Sequence, residues 1–532
     1  MIRVLILAFF CLLSSASSIR ATTIPAANCL QPVVQAAVLL AVVADTVTIP
    51  AGNCTWSTPV TVSKGVTLQG AGQDVTVINA SGTDFLLISG NGGAFRLTGM
   101  GFTGNITNGA IQADGRFSSF RMDHLKFTNL TGRSVIIGYN NTPTANPAIF
   151  GLIDHITYTN NACFPFGLHH GKDVEAWTGN DNWGTNQAVY IEDSTFTWNV
   201  SAAQLGECTL WDQEHGGRAV IRHNTIKNGT IQGHDTGSTQ QSRGLRIKEM
   251  YSNTFICNLV GGTSNCGYSA MDFRGGSYLV YDNSIPLCVG GCTSGPAGWE
   301  NANSTEIWRV SGTPGASEPW NFKCTSGTPL PIASDFRSHC NASPFPACGL
   351  NERVGQACSA STCPGGGCGT CVNNPTNVPA GVTVLSRIDG TGAGNYPCRD
   401  QVGRGIDSAD HTTQALTPAY WWNNTDANGG NAQIMKLNVA PGETTYIQAN
   451  RDVYLANTSF NGTAGVGRGP LSARPNTCTP LVGYWATDTN TLYTCTSTDT
   501  WSAYYKAFAY PHPLQTGTSA PAPPRNLRVT VQ

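Results

Sequence analysis

Four segments that read alike decide the fold: FRMDHLKFTNL at Phe120–Leu130, GLIDHITYTNN at Gly151–Asn161, VYIEDSTFTWN at Val189–Asn199 and AVIRHNTIKNG at Ala219–Gly229. Each alternates apolar and polar residues. That is the signature of a strand with one buried face, because successive strand side chains point to opposite sides. Working outward, Phe95-RLTGMGFTGN, Tyr251-SNTFICN and Tyr278-LVYDNSIPL continue the series. One large apolar residue anchors each unit: Phe102, Phe127, Tyr158, Phe196, Ile226, Phe255 and Ile285. Anchors recur every 25 to 38 residues, the length of one coil of a solenoid, and no WD or kelch signature marks a propeller blade. Most units close on an asparagine: Asn105, Asn129, Asn160, Asn199, Asn228 and Asn258. Asparagine tolerates left-handed backbone and can stack its amide on the next coil. These six are therefore expected to form ladders, although Asn105-Ile-Thr and Asn129-Leu-Thr also match glycosylation acceptors.

This pattern resembles the pectin-lyase-like right-handed parallel β-helix superfamily. Two N-terminal stretches add to the likeness. The run from Val33 to Val43 resembles the amphipathic cap helix of that superfamily, and Thr61-VSKGVTLQGAGQDVTVI its first full coil. The resemblance covers roughly residues 28 to 310 and concerns a fold, not one enzyme. It implies an all-β right-handed parallel β-helix with an N-terminal cap helix; the residues beyond it read as a Cys-rich, irregular C-terminal part.

Composition agrees with an all-β chain. Charged residues make up 12% of 532, about half the usual share, while Gly reaches 60 and the net charge is −2. Without a Lys/Arg excess, nucleic acid is not an expected partner. Met1-Ile2-Arg3, the apolar run Val4 to Leu13 and the small residues after it read as a secretory signal peptide, with cleavage after Ala16 or Ala21. No stretch is long enough for a membrane span, so a secreted, extracellular, monomeric protein is expected. Of 19 cysteines, Cys11 lies in the signal, which leaves an even number for disulfides. Cys257/Cys266, Cys288/Cys292 and Cys478/Cys495 are close enough in sequence to staple local loops. In CPGGGCGTC (Cys363–Cys371) zinc is the rival to disulfides, but no His follows at finger spacing.

Five regions follow: a signal peptide at 1–21, the capped β-helix at 22–310, a Cys-rich excursion at 311–400, further β coils and a hairpin at 401–514, and a Pro-rich tail at 515–532. The hairpin is read from Gly483-YWATDTNTLYTCTSTDTW, which alternates on both sides of Asn490.

A second recurrent strand lies between the anchors and ends in Gly: Gly167-LHHG, Leu210-WDQEHGG, Ile231-QGHDTG and Met271-DFRGG. Stacked coil on coil, it gathers His169 and His170, then Trp211, Asp212, Glu214 and His215, then His234 and Asp235, then Asp272 and Arg274, with Arg218 and Arg246 on adjacent edges. The chain has only 10 His, so this concentration stands out. A charge-neutralising ladder on a solvated face is the bland alternative to a substrate groove.

Three chemistries fit. In β-elimination from a uronate polysaccharide, a base such as His215 or His234 removes the proton next to a carboxylate. Arg218, Arg246 or Arg274 neutralises that group, and His169, His170 and Trp211 bind the chain. In glycoside hydrolysis, Asp212 or Glu214 works with Asp235 or Asp272 as paired carboxylates. The same acids would suit Ca²⁺, for catalysis or for stability alone, and no other cofactor is indicated. A non-catalytic glycan-binding surface protein would use the face without chemistry. The Asn-Thr-Asp, Asp-Asp and Gly-His-Gly set of polygalacturonases and the WIDH and RXPXXR motifs of pectate lyases are absent, so no catalytic residue carries over from either. Asp123-His124, Asp154-His155 and Arg222-His223 recur at one place in the repeat and read as a structural ladder.

Overall fold

The computed structural model describes residues 21–82, 86–91, 94–106, 109–138, 149–160, 166–169, 179–198, 210–214, 216–233, 245–256, 259–260, 263–264, 270–273, 275–285, 305–308, 339–340, 371–372, 402–407, 414–425, 436–438 and 449–516. Among these, 23 strands belong to one sheet system in which the neighbours are parallel. The repeat explains it. Ile78, Phe102, Phe127, Tyr158, Phe196, Ile226 and Phe255 are register partners from one strand to the next, and all are buried. Phe102 and Phe127 stack with ring centroids 5.4 Å apart. Each such side chain contributes about 1.5–3 kcal/mol by leaving water. A second buried row runs Leu97, Met122, Ile153, Ile191, Ile221, Met250, Val280 and Trp421.

Between the two rows the backbone turns through one left-handed residue per rung: His124, His155, Asp193, His223, Ser252, Asp282 and Asn423, with φ between 52° and 56°. The next residue points inward. It is apolar in the early rungs (Leu125, Ile156) and becomes a buried amide later. Asn224 Nδ2 donates to Asn253 Oδ1 (3.1 Å), Asn253 to Asn283 (2.9 Å) and Asn283 to Asn424 (2.8 Å). This ladder stands at positions other than the strand-closing asparagines. Of those, Asn129 and Asn228 take left-handed backbone (φ 52° and 60°), and Asn228 donates to the Trp198 carbonyl. Asn105 pairs within a strand, the Asn160 side chain is not described, and Asn199 and Asn258 lie outside the described residues.

A second parallel ladder links Leu86–Asn91, Arg133–Ile137, Phe166–His169 and Trp211–Glu214 to the long strand Gly109–Leu130 and to one another. A further parallel set joins Ile231–Gly233, Met271–Phe273, Thr305–Trp308 and Lys436–Asn438. In the main sheet, Ser277–Tyr281 pairs directly with Ala419–Trp422, so the Cys-rich stretch falls between two adjacent rungs.

The helix runs Gln31–Leu40 and not on to Val43. Pro32 suits its first turn. Val34, Ala37 and Val38 bury one face, and Ala41 leaves the helix in an extended conformation. Leu39, Leu40, Val42 and Val43 remain exposed. Disulfides join Cys29 to Cys54 and Cys478 to Cys495. The pairs Cys257/Cys266 and Cys288/Cys292 and the Cys363–Cys371 knot's zinc alternative involve positions outside the described residues. Among the described residues no helix is long and apolar enough to cross a membrane.

The C-terminal unit consists of Val466–Gly469, Gly483–Ala486, Thr491–Ser497 and Thr500–Tyr505, paired parallel once and antiparallel twice, with Asn490 left-handed in the tight turn. It packs on the outward side chains of the main sheet. Tyr281, Tyr420, Trp422 and Tyr454 form a separate buried cluster with Trp485, Leu492 and Tyr505.

Candidate functional site

The second ladder brings several candidate positions into one backbone register. Gly167 pairs with Asp212 and His169 with Glu214 in adjacent strands. Gln232 pairs with Asp272, Asp272 with Glu306 and Glu306 with Lys436. Adjacent strands lie about 4.8 Å apart; Asp212 and Glu214 share one strand of the second ladder, whereas Asp272 belongs to the further parallel set. The side chains of His169, Trp211, Asp212, Glu214 and Asp272 are not described. His170, His215, His234, Asp235 and Arg274 lie outside the described residues. Of the aromatics in this region, Trp198 is fully buried in the core. Among the described residues no group of three or more His, Cys, Asp or Glu is arranged to hold a metal.

The best-defined part of the candidate site is the pair Arg218 and Arg246. Arg218 opens the strand Arg218–Arg222, and Arg246 precedes Ile247–Tyr251 on the next rung. Gln213, between Asp212 and Glu214, donates its amide to the carbonyls of Gly217 and Ile247 (2.9 Å to the latter). That ties the candidate strand to the residues beside both arginines. Arg246 reaches Asp181 at 2.6 Å and the Gly179 carbonyl at 3.1 Å. Arg218 is 6% exposed, and its Nε is buried with no hydrogen-bond partner among the described residues. Burial, then the Arg246 charge, pull its pKa down to about 10. A guanidinium held this way gains most from an incoming carboxylate, which supplies both the missing acceptor and the missing charge.

A second charged row, on the outward face of the main sheet, lay outside the candidate list. Asp123, Asp154, Glu192, Arg222, Tyr251, Tyr281 and Trp422 are register partners on successive rungs. Arg96 pairs with Asp123 (2.7 Å), Arg121 with Asp154 (2.8 Å) and Arg222 with Glu192 (2.5 Å). His124 and His155 stack 4.7 Å apart and bond the acids before them. The row is closed by the chain itself. Arg222 donates to the carbonyls of Phe508 and Ala509, Arg121 to that of Leu514, and Glu192 accepts from the His512 N–H. The recurrent Asp-His and Arg-His dipeptides were the available signal for this row. Nothing in the local sequence showed what would cover it.

No known family model matches the chain, and no curated protein matches it. Among solved structures it is similar to the alginate lyase from Paenibacillus sp. str. FPU-7, at 15% identity over 49% of this chain and 94% of that one, with a TM-score of 0.31. A likeness at that level fixes neither fold nor activity. The residues themselves define an all-β protein built on a large parallel sheet.

Proposed function

We propose that this chain is a secreted polysaccharide lyase that cleaves a uronate polysaccharide by β-elimination, on a parallel β-helix closed coil by coil. The observation that carries the reading is the buried Arg218 Nε without an acceptor among the described residues, beside Arg246 and tied through Gln213 to the strand of Asp212 and Glu214. The arginine pair receives the uronate carboxylate and stabilises the negative charge that builds as the neighbouring C–H breaks. His215 or His234 takes that proton. The electron pair forms the C=C bond, the glycosidic C–O bond breaks, and the departing oxygen is protonated by an acid of the same column or by water. His169, His170, Trp211 and Arg274 line the path of the chain. Export fits the two disulfides, since such bonds persist in oxidising compartments.

A glycoside hydrolase with Asp212 or Glu214 opposite Asp235 or Asp272 is the second reading, supported by the acidic positions Asp212, Glu214 and Asp272 on short parallel strands. A glycan-binding surface protein is the third. The purified protein, assayed on polygalacturonate and alginate with and without added Ca²⁺, separates them. A lyase generates the ultraviolet absorbance of an unsaturated uronate. Reducing ends without that absorbance identify a hydrolase, and binding with neither product identifies a surface protein.

A further inference from the structure

Arg246 is fully buried and Arg218 nearly so. Guanidinium groups so enclosed can meet a polysaccharide only if something above them moves. Among the described residues, the segment 179–187 lies against both. Arg246 Nη2 stands 2.6 Å from Asp181 Oδ1 and donates to the Gly179 carbonyl at 3.1 Å. A Cβ at Gly179 would sit 3.5 Å from Arg218 Nη2. We propose that this segment is a lid carrying its own stand-in for the substrate: the Asp181 carboxylate occupies Arg246 in the empty protein and yields that place to a uronate carboxylate when the lid opens. The proposal rests on the arginine pair taking a uronate carboxylate, as the lyase reading has it.

Charge is the first support. Two guanidinium groups buried side by side need an anion nearby, because an uncompensated buried charge is costly. Burial and the Arg246 charge weaken the hold of Arg218 on its proton, and Asp181 acts the other way. The empty site is thus neutralised from within.

The looseness of that contact is the second. Asp181 Oδ1 is buried close to Arg246, yet it makes no hydrogen bond among the described residues. Charge faces charge without the aligned, paired N–H···O bonds that make arginine–carboxylate pairs strong. A carboxylate arriving with both oxygens aligned gains more than Asp181 does. The Asp181 side chain is 21% exposed, so it has water to retreat into.

The build of the segment is the third. Residues 182–187 close on themselves. The Thr185 hydroxyl donates to the Asn182 carbonyl (2.8 Å), and the Asn182 amide to the Gln187 side chain (2.7 Å). Such a knob moves as one body. Its latch is Glu249, on the strand that follows Arg246. Glu249 shares a register row with Tyr190, Val220, Leu279 and Tyr420, where it stands alone as an acid. Its buried carboxylate accepts from the Gly184 N–H (2.8 Å) and from the Tyr505 hydroxyl (2.7 Å). The Lys506 carbonyl backs Gly184 so closely that a Cβ there would collide with it. One carboxylate holds the lid shut from below, and another on the lid fills the site.

The test joins hydrogen exchange to calorimetric titration of the full chain, with trigalacturonate and with its methyl triester, which has the same rings without the charge. Saturating trigalacturonate should speed exchange of the Gly184 amide by roughly tenfold, since exchange reports local opening. Asp181→Asn keeps the shape and removes the charge. It should show faster exchange without ligand and bind the acid roughly tenfold more tightly, with the ester unchanged. Weaker or unchanged binding of the acid by Asp181→Asn overturns the proposal, because a fixed wall or a positioning carboxylate behaves that way. A Gly184 amide equally protected with and without ligand overturns it too, as does the absence of saturable binding by either protein. The lyase reading fails separately. Tighter binding by Asp181→Asn with no unsaturated product from polygalacturonate or alginate sinks that reading alone. Product from a protein whose Asp181→Asn form binds no better sinks the lid alone.

Discussion

Arg222 sits one rung beyond Glu192, its Nε 2.5 Å from Oε2, with neither side chain exposed to water. Its remaining donors go to the Tyr251 hydroxyl (2.7 Å) and to two carbonyls of the C-terminal segment, Phe508 and Ala509 (both 2.8 Å). One guanidinium thus joins three rungs of the sheet to residues almost 300 positions later.

Removing that guanidinium leaves Glu192 charged and buried. Arg222→Ala is expected to cost about 3–5 kcal/mol, read from urea unfolding, and to expose the chain beyond Tyr505 to limited proteolysis. The double change Arg222→Met, Glu192→Leu should recover part of the stability without restoring protection.

His512 is held neutral. Burial, then the Arg222 charge, lower its pKa to about 4, against about 6.5 when unfolded. Its contribution is complete above pH of about 6.5 and shrinks as the pH falls towards 4, because the unfolded chain takes up the proton first. The urea midpoint of His512→Gln should therefore fall less steeply than that of the native protein over this window.

Glu249 works in the opposite sense. Burial raises its pKa to about 7, against the hydrogen bonds from the Gly184 N–H and the Tyr505 hydroxyl. A raised carboxyl favours folding below its unfolded value near 4.5 and loses that contribution as the pH climbs to 7. Glu249→Gln should gain stability relative to the native chain between those pH values; a flat difference would refute the assignment.

Asn253 both receives and donates in the amide ladder. Asn253→Ala leaves the Asn224 amide and the Ile221 carbonyl each short of a partner, which should cost about 2–3 kcal/mol in denaturant unfolding. The same substitution at exposed Asn105 should be close to neutral.

The Cys478–Cys495 bond closes a span of 17 residues. Replacing both by Ala should remove about 3 kcal/mol through the freer unfolded chain, measured as a lower melting temperature of the native fold.

What could be read in advance follows from what repeats. Phe102 to Phe255 share one register because period-two alternation and a large apolar anchor survive in every unit although the interval varies from 25 to 38 residues, and the Asp-His and Arg-His pairs share another for the same reason. The inward asparagine ladder escaped notice because two kinds of Asn occur in the later units. One closes the strand, as Asn228 does, and the other turns inward after the left-handed residue, as Asn253 does. The link from Arg222 to Phe508 and Ala509 has no periodicity, since its partners lie in a segment with no counterpart elsewhere. Arg218 is legible as a residue type able to hold a carboxylate, but its lack of an acceptor among the described residues depends on how Arg246 and Asp181 pack around it.

The closing of the charged row by residues 505–516 has a consequence for how the protein comes to be made. Rungs carrying Arg121, Glu192 and Arg222 leave the ribosome long before Tyr505, His512 and Leu514. Until then buried carboxylates, guanidinium groups and aromatic rings face water or whatever holds the nascent chain. Contacts of such sequence separation form late and slowly. Final consolidation must await a full-length polypeptide, so a chain interrupted before about residue 500 keeps an open, sticky face and is marked for degradation by its own surface.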